Sequence, residues 1–105
     1  MAKTLYEIKM NFRVANEMAD RLQNLASRLT HLADDQFYGT LRGISNNWKG
    51  ENAEAYIRKG ERLKGKMSNT ANDLYKAAST VRTIARNTYN AEMRAWRIAQ
   101  TRNSS

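Results

Sequence analysis

An all-α fold, an antiparallel helical hairpin that pairs into a four-helix bundle, is predicted by three features of this 105-residue chain. Apolar residues recur every three or four positions along most of its length. The chain contains no proline and no cysteine, so nothing enforces a helix break and no disulfide or thiolate metal site exists. One polar stretch near the midpoint, GISNNWKGEN, interrupts the period. With 41% hydrophobic and 27% charged residues, the composition is that of an ordered helical protein rather than a disordered one. The expected organisation is a single domain over residues 1–105: helix one over about 4–45, a turn over about 46–50, helix two over about 51–100, and a flexible C-terminal tail.

Helix one is read from the apolar series Leu5, Ile8, Phe12, Ala15, Ala19, Leu22, Ala26, Leu29 and Ala33, continued by Phe37, Leu41, Ile44 and Trp48. The early steps alternate between three and four, as an amphipathic helix requires. From Leu29 to Leu41 every step is four, a local stutter expected to straighten the seam. Met18, Leu25 and Leu32 stand beside this stripe at seven-residue spacing and widen it to the face of a bundle helix.

The turn follows. Asn46 and Asn47 suit turn or cap conformations, and Gly50 supplies a permissive backbone. Glu51 and Glu54 then fall in the first turn of helix two, where carboxylates complement the helix dipole.

Helix two is read from Ala53, Tyr56, Gly60, Leu63, Met67, Thr70, Leu74, Ala77, Val81, Ile84, Thr88, Ala91, Ala95 and Ile98, with Ala71, Ala78, Ala85 and Ala99 one step past that stripe. Small residues on a seam admit close backbone approach but bury little area. Gly60, Gly65 and the polar run SNTAND are its least supported places.

Two helices pack along one line, yet both stripes are broad. A lone two-helix unit of this size would leave apolar surface in water. The expectation is that two hairpins share it, with Leu25, Leu32, Leu41, Ile44 and Leu63 as candidates for the shared face.

The residues that complete this picture are Trp48-Lys49-Gly50 at the midpoint, followed by ENAEAYIRKG. A Trp–X–Gly turn centred in a helical hairpin of about this length resembles the WXG family of small secreted proteins, the early-secreted-antigen-like substrates of bacterial type VII secretion. The likeness covers the whole chain. It implies a four-helix dimer, either a homodimer or a heterodimer with a related small helical protein or with the helical N-terminal region of a secreted toxin. It also implies engagement of the type VII secretion ATPase, and secretion without a signal peptide from the cytoplasm. Trp48 and Gly50 would form the secretion and partner motif. The nearest match to the family's Tyr-x-x-x-Asp/Glu export signal is Tyr89 with Glu92, one residue too close, so the resemblance implies either a degenerate export signal at these residues or a helper subunit that relies on its partner's signal.

Helix two carries a further series. Tyr75, Arg82, Tyr89 and Trp96 share one heptad position, with Arg86, Arg94 and Arg97 around it. Rings and guanidinium groups on one face suit a docking surface, with Tyr75, Arg82, Arg86 and Trp96 as candidates; the plain alternative is a seam edge covered by long side chains.

Charge is unevenly placed. Residues 1–48 carry a net +1 and residues 49–105 a net +7 of the total +8. A basic half points to an anionic partner, or serves only as a solvated face. RKGERLKGK, residues 58–66, makes a basic helical nucleic-acid-binding protein the rival reading, though no element looks suited to base readout and no specific nucleic acid is expected. Charges interrupt every apolar run, so neither a membrane span nor a cleaved leader is expected. The single histidine, His31, falls on the outer face of helix one, and Asp34 and Asp35 are adjacent rather than convergent. With no metal set, phosphate loop or nucleophile–base pair in view, neither an enzyme nor a cofactor is expected.

Overall fold

A computed structural model of the chain describes residues 3–104. They form α1 (Leu5–His31), a π-helical segment (Leu32–Phe37), α2 (Tyr38–Asn47) and α3 (Glu51–Ser104), with no strand among the described residues. Thr4 opens α1: its Oγ1 accepts from the Glu7 N–H at 3.1 Å, satisfying one of the free donors of the first turn. α3 runs unbroken through SNTAND and on to Ser104, so the tail expected beyond residue 100 is helical as far as residue 104. Residue 105 lies outside the described residues.

The stutter resolves differently from expectation. Three consecutive steps of four exceed the α-helical period, and the backbone absorbs the excess by widening instead of straightening the seam. Tyr38 donates its N–H to the carbonyl of Ala33, five residues back. The wider turn brings Ala33 and Leu41 to the interior, both buried.

The described residues fall into two compact units. The terminal unit holds those up to Leu22 and from Lys76 onward; the turn unit is Gln23–Tyr75. In the terminal unit the helical segments run antiparallel. Lys3 pairs with Glu92 at 2.8 Å, and Asp20 with Arg82 at 2.7 Å. Ile8, Ala19, Ala78 and Ala85 are buried between the segments, and the Phe12 and Tyr89 rings meet at 4.6 Å in a tilted arrangement. In the turn unit, Ala26, Ala33, Leu41, Ala53 and Ala71 form the interior. Asp34 pairs with Lys64 at 3.6 Å, and the Lys64 ammonium and Arg42 guanidinium lie 5.4 and 5.9 Å from the centre of the Tyr38 ring.

Gly60 makes room for Leu41. A Cβ placed on it would collide with the Leu41 side chain, so the glycine admits Leu41 against the α3 backbone. Leu41 is therefore interior rather than part of a shared face, and Ile44 is half-buried.

One correction concerns which α3 stripe faces inward. Of the expected series, Ala53 is buried and Met67, Leu74 and Val81 are half-buried, but Tyr56, Leu63, Ile84 and Ile98 are exposed, while Ala71, Ala78 and Ala85, expected one step past it, are buried. The physical reason is size. Alanines at the contact let two helix backbones approach closely, and the larger side chains stand exposed beside it.

Candidate functional site

The Trp48-Lys49-Gly50 turn is a tight connection. Trp48 ends α2 in extended backbone, with φ −132° and ψ 119°, and its N–H donates to the Ile44 carbonyl at 2.8 Å. Gly50 has φ +113°, a conformation side chains resist, and its carbonyl accepts the Glu54 N–H at 3.0 Å to start α3. Lys49 Nζ donates to the Ser45 carbonyl, and Asn47 Nδ2 to the Gly43 carbonyl. The Trp48 ring packs against Tyr56 at 5.5 Å and stays 44% exposed, so the turn presents an aromatic pair to its surroundings.

The terminal unit has a groove on each side of its seam, and the two differ in chemistry. One, of about 220 Å³, is apolar: Ile8, Phe12, Ala15, Val81, Ile84 and Ala85 line most of it. Ile84 is 58% exposed at its rim. Met18, three residues from Ala15 on the same face of α1, is 57% exposed. The other groove is lined by Phe12, Asn16, Ser79, Arg82, Thr83 and Arg86. Thr83 Oγ1 donates to the Ser79 carbonyl, and Arg82 Nη2 to Asp20 Oδ1. In the turn unit, Leu25, Leu32, Leu63 and Tyr56 are likewise exposed.

Of the expected docking series, Arg82 and Arg86 share the polar groove, and Tyr89 packs on Phe12. Trp96 is half-buried in the terminal unit, and Tyr75, 40% exposed, belongs to the turn unit. Tyr89 and Glu92, the nearest match to an export signal, are both engaged within the terminal unit, Glu92 by Lys3. His31 is exposed and meets Asp35 at 3.2 Å.

Sequence reasoning missed Tyr56 as the partner of Trp48, and it missed Asn16, Ser79 and Thr83. A signal for Ser79 and Thr83 was present: with Arg82 and Arg86 they fall at i, i+3, i+4 and i+7, one face of a helix. No described helix is long and apolar enough to cross a membrane. No family model, curated protein or solved structure matches this chain.

Proposed function

We propose that the protein is a WXG-like component of type VII secretion, acting as a secreted substrate or as the small partner that escorts a larger effector by helical-bundle pairing. The observation that carries the pairing is the set of large apolar side chains left exposed in each unit: Met18 and Ile84 in the terminal unit, and Leu25, Leu32 and Leu63 in the turn unit. Side chains of this size favour burial by about 1.5–3 kcal/mol each, and the alanine-lined interior leaves them in water. Helices of a mate packed on each unit would cover them. The secretion assignment is supported by the central Trp–X–Gly turn, whose glycine conformation and outward aromatic pair fit a motif used for recognition. The mate is a second copy, a sister protein or the helical end of a toxin.

Sedimentation of the purified chain, alone and with candidate helical mates encoded beside it, tests the pairing. The expected result is a dimer or a stoichiometric complex. A stable, fully folded monomer that ignores every mate would remove the basis of the reading. For the secretion step, Trp48→Ala is expected to abolish export from a host with type VII machinery while leaving the helical content intact. Undiminished export would exclude the turn from recognition.

A further inference from the structure

The groove lined by Arg82 and Arg86 lies apart from Met18 and Ile84, the exposed residues of the terminal unit on which the proposed bundle pairing rests. We infer that it is a docking surface for an acidic helical segment of another protein, separate from the apolar groove across the seam.

Two guanidinium groups and three neutral hydrogen-bonding side chains line this groove beside the Phe12 ring, and no carboxylate lines it. Arg82 is held by Asp20 at 2.7 Å, a bond that uses one of its five N–H donors. Arg86, one helical turn further on, is exposed and in no ion pair among the described residues. Arg13 and Lys9 precede Asn16 by three and seven residues, which puts them on the same face of α1. Both are exposed and likewise in no ion pair among the described residues. The face thus offers four cations against two carboxylates, Asp20 and Glu17, the latter four residues from Arg13.

The spacing selects the partner. Residues four apart on a helix are separated by about 6 Å along its axis. Carboxylates at the same interval on a facing helix would meet Arg82 and Arg86 in register, and a guanidinium takes a carboxylate through two parallel N–H···O bonds. Phe12 gives the methylene groups of a glutamate an apolar surface to lie on. Nucleic acid fits less well. Proteins that hold a duplex commonly neutralise about 6–10 phosphates, and here one of only four cations already has a carboxylate.

The test titrates the full chain with a designed amphipathic helix carrying glutamate pairs four residues apart. The same peptide with Gln for Glu, a DNA duplex and phosphatidylserine vesicles serve as parallel probes, all by fluorescence anisotropy or co-sedimentation. The expected result is salt-sensitive binding of the acidic helix, weakened about tenfold or more by Gln for Glu and by Arg86→Glu. Arg13→Glu, on the other helix, is expected to act in the same direction. Ile84→Asp, in the apolar groove, should leave this affinity unchanged even if it abolishes bundle pairing, so the two surfaces fail separately. Equal binding of the Gln peptide, tighter binding of DNA or vesicles, no binding of any probe, or indifference to both arginine reversals would each overturn the proposal. Circular dichroism melting of the variants separates lost binding from lost fold.

Discussion

Two glycines of α3 sit five residues apart and should answer the same substitution in opposite ways. At Gly65 nothing lies within 4 Å of the place an alanine methyl would occupy, so Gly65→Ala should stabilise by about 1 kcal/mol through helix propensity alone. At Gly60 the same propensity gain meets the Leu41 side chain, and overpacking costs about 1–3 kcal/mol. Gly60→Ala should therefore be neutral to destabilising in thermal melts, and adding Leu41→Ala should relieve the collision while opening a cavity of its own. If Gly60→Ala raised the melting temperature as much as Gly65→Ala, the close approach of Leu41 would be wrong. Gly50 belongs to a third class. Its φ of +113° is a backbone conformation rather than a packing constraint, so Gly50→Ala should lose about 1–3 kcal/mol with no possible rescue from a neighbour.

At the scale of the element, the π segment makes the sharpest claim. If Leu32–Phe37 is widened only to absorb one surplus residue, deleting Gln36 restores alternating steps and should leave a folded, cooperatively melting protein. Deleting Asn24, in the regular part of α1, shifts every later residue off the seam and should abolish cooperative melting. Equal behaviour of the two deletions would discard this account of the π turn. The same segment marks how far the sequence could be read. Helix positions and the Trp48–Gly50 turn were legible, because a period of 3.6 and a polar interruption are local properties. The stutter was legible as an anomaly, but whether a backbone straightens or widens depends on what it packs against. The inward stripe of α3 is legible only in part, for a related reason. Hydropathy ranks Leu63 and Ile84 above Ala71 and Ala78, whereas close packing of two backbones ranks them the other way. The polar groove was half legible: Arg82 and Arg86 stood out as a pair of cations, while Ser79 and Thr83 acquire meaning only once α1 is laid beside them.

For the whole molecule, a complex that buries the exposed apolar side chains adds its binding energy to its folding energy, so melting temperature should climb with the concentration of the chain or of its mate. Met18→Asp and Ile84→Asp replace exposed residues, so each should keep its helical content yet lose that concentration dependence. Retention of it by both variants would put the contact elsewhere. The interior itself carries a last consequence. Each unit has an interior built mostly of alanine methyls, with Ile8 as the larger member in the terminal unit and Leu41 in the turn unit, and gives little resistance to local opening. In the solitary chain, backbone amides along α1 and α3 should trade hydrogen for deuterium quickly. Once a mate is seated they should slow together, so the rate of isotope uptake becomes a direct gauge of how many molecules are still waiting for a companion.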